Sequence, residues 1–195
     1  MVGTEVFGAV LAEKGTTRIL RVRNQTNYYD RIASIYDQTR WMTDGVAEEI
    51  ADFIVELVGA RADTSFLEPG VGTGLNVMPL VRRGYAVTGM DISLEMLEQF
   101  WQKLRDGSEQ VGPEQVGLDQ AEPKNLTFIQ GDASELPFTD DLFDVVLTVH
   151  MIHAVADWQH FLDEIGRVLK PGGVYINARV IARILYQRYL TRTWF

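Results

Sequence analysis

Two spacings of apolar residues divide the middle of the chain into elements. Apolar residues recur at a helical period of about 3.6 in one class of segment, and short continuous apolar runs form the other. The first class predicts helices over residues 28–37, 44–58, 75–83, 94–104 and 158–169. The second predicts strands over residues 65–68, 85–90, 126–130, 143–149 and 174–178. This alternation predicts an α/β fold with a doubly wound, mostly parallel sheet and helices on both faces.

The remaining segments do not follow that alternation. Two β-prone runs at 6–11 and 18–23 predict a hairpin within an N-terminal extension, residues 1–27, and residues 28–195 are predicted to form one domain. Residues 106–124 are polar and contain several Gly and Pro, which predicts a loop. Residues 180–190 predict a last helix.

Three glycines at every second position, Gly70, Gly72 and Gly74, follow the strand at 65–68. Without Cβ atoms, such a segment turns tightly and lets its backbone approach a ligand. The N–H groups at the start of the following helix are predicted to offer further donors. The alternative is a turn that serves only helix–strand packing.

Composition narrows the class of ligand. The net charge of -9 disfavours nucleic acid and anionic membranes, so a small-molecule ligand is expected. The chain has no cysteine, which excludes disulfides and thiolate zinc sites and fits a cytoplasmic protein. No apolar run reaches the length of about 18 residues that a membrane helix needs.

In a parallel α/β sheet, ligands bind outside the carboxyl ends of the strands. The residues there are Glu68 and the glycines, Asp91, Asp132, and the segment 149–153. Asp91 lies about 20 residues beyond the glycines, where a carboxylate binds ribose hydroxyls, although it could also cap the next helix beside Ser93. Asp132 can accept from an exocyclic amine or form a turn. These positions suit both a nicotinamide cofactor and S-adenosylmethionine.

The glycine spacing distinguishes those two cofactors. The dinucleotide fingerprint requires Gly or Ala at a third position, which here is Leu75 or Val77. The spacing therefore favours S-adenosylmethionine over a dinucleotide.

Six motifs occur in the order and at the spacing of a known family. They are residues 67–74 (Leu-Glu-Pro-Gly-Val-Gly-Thr-Gly), 91–93 (Asp-Ile-Ser), 131–133 (Gly-Asp-Ala), 136–138 (Leu-Pro-Phe), 143–146 (Phe-Asp-Val-Val) and 167–173 (Arg-Val-Leu-Lys-Pro-Gly-Gly). The set resembles the class I S-adenosylmethionine-dependent methyltransferases, and most closely the small-molecule group that includes ubiquinone and menaquinone biosynthesis methyltransferases. The resemblance implies a Rossmann-like fold and methyl transfer to a small-molecule acceptor.

The resemblance also implies roles for individual residues. The residues expected to bind the cofactor are Glu68, Gly70, Gly72, Gly74, Asp91, Ile92, Asp132, Ala133 and Val149. The glycines would lie against the methionine portion, with Glu68 near its amino group. Asp91 would hold the ribose. Ile92 would pack on the adenine, and Asp132 with Ala133 would contact its edge.

The expected acceptor-binding residues are Tyr29, Tyr36, Arg40 and His153, and the candidate catalytic residues are His150, His153 and Tyr36. A general base is needed only if the acceptor must lose a proton in the transition state. His153 resembles the first His of a frequent family segment, which favours a structural or cofactor-facing role. For the aromatic face at Tyr29 and Tyr36, the usual burial of such faces favours core packing over a ligand role. No metal site is predicted.

In one respect the chain departs from the family. The family usually continues through a helix into two more strands, so the predicted sheet lacks these. We expect either a fragment, or a sheet edge covered by the N-terminal hairpin or by a second copy in a homodimer. Two alternatives to an active methyltransferase remain: a truncated or non-catalytic S-adenosylmethionine-binding module, and a nicotinamide-dependent oxidoreductase.

Overall fold

A computed structural model describes residues 19–20, 28–40, 44–109 and 125–179. The first run of the predicted hairpin, most of the predicted loop at 106–124 and the predicted last helix lie outside the described residues. The division into an extension and one domain stays a prediction.

Six parallel strands form one sheet in the order β1-β4-β3-β2-β5-β6. Their bounds are β1 Ile19–Leu20, β2 Ser65–Pro69, β3 Ala86–Asp91, β4 Leu126–Gln130, β5 Phe143–Val149 and β6 Leu169–Ala178. The strand order reverses between β2 and β5, so their carboxyl ends flank the crevice where such sheets bind ligands.

Helices cover both faces of this sheet, as the sequence predicts. They are α1 Tyr28–Ile32, α2 Asp44–Val58, α3 Met78–Arg82, α4 Leu94–Glu109 and α5 Trp158–Val168, with short 3-10 turns at Ala33–Ile35, Asp37–Thr39 and Ile152–Ala154. One face packs on Ile54 of α2 and Phe100 of α4. The other packs on Phe161 and Ile165 of α5. The parallel α/β class is therefore confirmed.

Four predicted bounds are wrong. The helix predicted at 28–37 is divided into α1 and two 3-10 turns, and Asp37 there bonds to Thr73 and Lys103. The helix predicted at 75–83 begins only at Met78, because turns occupy 75–77. α4 continues to Glu109 into the predicted loop, since one glycine costs a helix only about 1 kcal/mol. β6 begins at Leu169, ahead of an irregular register against β5.

The position of β1 also differs from the expectation that an N-terminal hairpin covers the β6 edge. β1 pairs in parallel with β4, opposite Phe128 and Ile129. It therefore lies at the end of the sheet remote from β6, and the described part of the N-terminal extension does not cover the β6 edge.

Candidate functional site

The glycine turn is held against β3 by backbone hydrogen bonds. The amides of Gly70 and Val71 both donate to the carbonyl of Met90, at 2.7 and 2.9 Å. The amide of Gly74 donates to Val71 at 3.0 Å, which closes the turn. Gly70, Gly72 and Gly74 all have positive φ angles. The turn therefore lies beside the carboxyl end of β3, as the sequence predicts.

The three glycines are required for different reasons. A Cβ on Gly70 would lie 2.5 Å from Cγ of Met151, and a Cβ on Gly74 would overlap the ring of Phe100. At Gly72 the nearest atom to such a Cβ is Cε1 of Tyr36, at 4.0 Å. Packing thus fills the space beside Gly70 and Gly74, and the backbone at Gly72 is the part of the turn that a ligand can approach.

The N–H groups at the start of α3, which were predicted to donate to a ligand, do not adjoin the glycine turn. α3 has five residues and begins four positions after Gly74, and the amide of Met78 already donates to Gly74. Pro79 has no N–H. The helix start therefore offers no anion site, because the intervening turn at 75–77 separates it from the glycines.

Asp91 connects the turn to the start of α4. Its Oδ2 accepts from the amide of Gly72 at 2.8 Å, and its Oδ1 accepts from the amide of Ser93 at 2.9 Å. Ser93 caps α4 through the amide of Met96 at 3.2 Å. Burial raises the pKa of Asp91, and the two amides oppose that rise. Each carboxylate oxygen can accept a second hydrogen bond, so the predicted ribose role stays open to this side chain.

Glu68 is fully buried at the end of β2. Its Oε1 accepts from the side chain of Asn76 at 2.8 Å, whereas Oε2 has no hydrogen-bond partner in the described part of the chain. Burial raises the pKa of Glu68 to about 8, against the opposing Asn76 bond, and the charge of Asp91 raises it further. An unmet acceptor in such a place is costly and marks a binding site more often than a packing role.

Residues at the ends of β3 and β4 form the other predicted part of the cofactor site. Ile92 is half-buried, and its carbonyl accepts from the side chain of Gln130 at 3.3 Å. Asp132 is exposed, and its Oδ1 accepts from the amide and hydroxyl of Ser134 at 2.9 and 2.8 Å. Ala133 is buried. Asp132 therefore forms the turn that was one of its two predicted roles. Its Oδ2 accepts no hydrogen bond from the described residues.

The segment after α1 lies over the glycine turn. Tyr36 is half-buried beside Gly72, and the guanidinium of Arg40 lies 4.0 Å from the centroid of its ring. Asp37 fixes this segment by accepting from the hydroxyl of Thr73 and from Nζ of Lys103, the latter at 2.6 Å. Burial raises the pKa of Tyr36, and the positive charge of Arg40 opposes the rise.

Tyr29 lies on α1, ahead of the segment that carries Tyr36. Its ring meets Tyr28 edge-on at 5.5 Å, and 37% of the residue is exposed. Tyr29 also acts on Tyr36, because it raises the pKa of that phenol.

The residues after β5 complete this edge. Val149 is the half-buried last residue of the strand. His150 is exposed and adopts the left-handed region at φ 53, while its amide donates to the carbonyl of Ala178 on β6 at 3.0 Å. His153 is exposed in the following 3-10 turn. Burial lowers the pKa of His150, and the charges of Arg40 and His153 lower it further.

Sequence reasoning missed several residues that shape the site. Asn76 is the partner of Glu68, Met151 packs on Gly70, and Asp37 ties the segment of Tyr36 to Thr73. Asn76 could have been found, since a polar residue so soon after a buried glutamate is a natural partner. The others depend on contacts between distant segments that leave no local pattern.

Comparison with known proteins places the chain in a family. The model of the "Methyltransferase domain" family matches residues 67–177, more than half of the chain. The demethylmenaquinone methyltransferase of Tropheryma whipplei (strain Twist) is 34% identical over 152 residues, covering 74% of this chain and 54% of that protein. The phosphatidylethanolamine N-methyltransferase of Cereibacter sphaeroides is 37% identical over 117 residues, covering 60% and 51%.

A solved structure shows the same fold. The mmp1179 protein of Methanococcus maripaludis superposes with a TM-score of 0.64 at 18% identity, covering 82% of this chain and 68% of that one. The present chain spans about half the length of the curated relatives named above. The matched segment contains the glycine turn, both buried carboxylates and the ends of β4 and β5. The chain belongs to the class I S-adenosylmethionine-dependent methyltransferases, within the methyltransferase domain family.

Proposed function

We propose that the chain binds S-adenosylmethionine at the carboxyl ends of β2, β3 and β4 and transfers its methyl group to a small-molecule acceptor. One observation carries the proposal: the buried Oε2 of Glu68, with no partner among the described residues, lies where the family resemblance puts the cofactor's amino group. A ligand ammonium would supply the missing donor and favour the ionised carboxylate.

The other residues of this edge fit the same ligand. The backbone at Gly72 is open to approach, and the oxygens of Asp91 can accept from hydroxyl groups in addition to the amides. Half-buried Ile92 offers an apolar surface for a flat ring, and Oδ2 of Asp132, which accepts no hydrogen bond from the described residues, can accept from an exocyclic amine. Ala133 and Val149 complete the apolar lining.

The reaction needs alignment and exclusion of water more than it needs a strong base. When bound, S-adenosylmethionine supplies an electrophilic methyl group: the acceptor's lone pair bonds to that carbon, and the electron pair of the broken S–C bond returns to sulfur. Tyr36 and Arg40 cover the turn from one side and limit solvent there. With its lowered pKa, His150 is mostly neutral near pH 7 and can take a proton from the acceptor.

Calorimetric titration with S-adenosylhomocysteine, the stable product form, tests this assignment. We expect saturable binding by the wild-type chain and a loss of about tenfold or more in Asp91→Ala, because the variant removes both the ribose acceptor and the hydrogen bond that holds Gly72. Asp63→Ala is the matched control, since Asp63 is exposed beside Arg61. Two results would contradict the proposal. One is a wild-type chain that is folded by circular dichroism but does not bind S-adenosylhomocysteine, and the other is undiminished binding in Asp91→Ala.

Methyl transfer itself is tested by following S-adenosylhomocysteine formation with a panel of phenolic, amine and carboxylate acceptors. Turnover with one acceptor excludes the non-catalytic module, and binding of NADH instead of S-adenosylhomocysteine would favour the oxidoreductase. Since relatives include enzymes named for a quinone precursor and for a phospholipid amine, the comparisons leave the acceptor's class to experiment.

Location and assembly stay predictions. A cytoplasmic location fits the cysteine-free composition. Among the described helices, none is long and apolar enough to cross a bilayer. A homodimer stays a prediction, which light scattering coupled to size-exclusion chromatography would test.

A further inference from the structure

Basic side chains gather at the carboxyl ends of β5 and β6 in a chain whose net charge is -9. From one side, Arg40 stacks on Tyr36, which borders the open backbone of Gly72. From the other side, the end of β5 carries His150 and the end of β6 carries Arg179. The cluster of Arg40, His150, His153 and Arg179, called here the basic cluster, thus lies beside the proposed cofactor site.

The backbone positions two members of the basic cluster together. Val149 pairs with Ala178 in the register of β5 and β6, and the amide of His150 donates to Ala178 at 3.0 Å. This places the backbone of His150 opposite that of Arg179, just past the ends of the two neighbouring strands. His150 holds a left-handed conformation, at φ 53, which residues other than glycine rarely adopt. Such conformations concentrate at functional sites.

Three members of the basic cluster lie close enough to His150 to act on it. After burial, the positive charges of Arg40, His153 and Arg179 are what lower the pKa of His150. Mutual repulsion of this kind does not stabilise a fold. The carboxylate that acts on Tyr36 is Asp91, which is 8% exposed and accepts from the amides of Gly72 and Ser93. Asp91 belongs to the proposed cofactor site, and no salt bridge between described residues joins it to the basic cluster.

We propose that the methyl acceptor is a small anion whose carboxylate or phosphate group is bound by Arg40 and Arg179, beside His150 and His153. This inference rests on the proposed methyltransferase function and narrows its acceptor class. Arginine presents a planar fork that matches carboxylate and phosphate oxygens in pairs, and its ring stacking fixes the guanidinium of Arg40 before the ligand arrives. The anion would anchor the acceptor at the mouth of the site and relieve the repulsion within the cluster.

The three histidines of the chain, His150, His153 and His160, provide a direct readout. The full chain is saturated with S-adenosylhomocysteine, and its imidazole NMR signals are followed during titration with inorganic phosphate, benzoate or neutral benzamide at constant ionic strength. Benzamide matches the shape of benzoate without its charge. His160 is an internal control, because it lies on the exposed first turn of α5.

We expect phosphate or benzoate to shift the signals of His150 and His153 saturably and to leave His160 unchanged. Benzamide should have no such effect. In the double variant Arg40→Gln/Arg179→Gln the affinity should fall about tenfold or more, since charge-assisted hydrogen bonds are stronger than neutral ones. Arg61→Gln is the matched control, because Arg61 pairs with Asp63 away from the site.

Equal responses to benzoate and benzamide, shifts at all three histidines, or unchanged affinity in the double variant would overturn the inference. Binding of S-adenosylhomocysteine is measured separately for the wild type and the double variant, so that a loss of anion binding is distinguished from a loss of cofactor binding. If the wild type binds no S-adenosylhomocysteine, the proposed function fails, while the same titration of the free chain still decides whether the basic cluster binds anions.

Discussion

The carboxylates at the amino ends of the strands differ in their partners from the buried carboxylates at the carboxyl ends. At the amino ends, carboxylates have cationic partners: Asp144 accepts from Lys170 and Ser65, and Glu164 pairs with Arg167. At the carboxyl ends, Glu68 and Asp91 are buried, and no salt bridge within the described ranges reaches either. Asp37 beside the glycine turn also has a cationic partner, Lys103, so the contrast concerns the two buried carboxylates, Glu68 and Asp91.

The pKa directions of these carboxyls follow the same division. Burial raises the pKa of Asp144, but bonds from Lys170 and Ser65 outweigh it and lower the pKa overall. Burial raises the pKa of Glu68 from 4.5 to about 8. A raised carboxyl pKa means that the folded state holds the proton more tightly, so this group's contribution to stability declines as the pH rises from about 4.5 to about 8. The pKa of Asp144 is lowered instead, so this group's contribution to stability is lost as the pH falls.

The largest expected effect is a loss of stability at Gly74, the glycine of the turn that packs against the core rather than facing a ligand. Gly74→Ala should destabilise the fold by about 3 kcal/mol, because the new Cβ would overlap the buried ring of Phe100 and φ is +75. Urea denaturation measures this. Gly45→Ala is the matched control, since no atom lies within 4 Å of its Cβ, and it should stabilise α2 by up to about 1 kcal/mol. Equal stability of the two variants would show that Phe100 does not pack as described.

The next effect tests whether the amino ends serve stability alone. Asp144→Ala should cost about 2 kcal/mol, because it leaves the amide of Ser65 and the ammonium of Lys170 without their carboxylate. Its affinity for S-adenosylhomocysteine, measured by calorimetry on the folded variant, should equal that of the wild type. A large loss of affinity with little loss of stability would reverse the proposed division of roles.

A smaller effect on stability should accompany a larger effect on binding at Gly72. Gly72→Ala strains a residue at φ +56 and should cost about 1 kcal/mol, because the space around its Cβ is open. That methyl group would occupy the approach to the turn, so affinity for S-adenosylhomocysteine should fall about tenfold or more. Unchanged affinity would mean that the ligand does not approach the turn at Gly72.

Much of this architecture could be predicted from the sequence. The strand at 143–149 is a continuous β-branched and apolar run, which is typical of a strand buried on both faces, and the structure gives β5 the same bounds. The three alternate glycines predicted the turn, and the spacing of Asp91 placed it beside that turn. These features are local in sequence, so local patterns encode them.

Contacts between distant segments could not be predicted in the same way. Tyr36 lies beside Gly72, and Phe100 determines the need for glycine at position 74, yet neither pairing has a sequence signature. The predicted start of α3 was also wrong, because the spacing of apolar residues at 75–77 fits a turn as well as a helix. Packing between elements decides such positions, and a single sequence does not record it.

Cofactor binding is proposed to depend most on Glu68, whose buried Oε2 is assigned to the cofactor's amino group. The most direct test is calorimetric titration of S-adenosylhomocysteine at pH 6, 7 and 8 with the wild type and Glu68→Gln. Because ligand binding favours the ionised carboxylate while the free protein has a pKa of about 8, wild-type affinity should rise with pH by up to about tenfold per unit. Glu68→Gln should abolish that rise. Equal wild-type affinity at pH 6 and 8, or the same rise in the variant, would contradict the assignment.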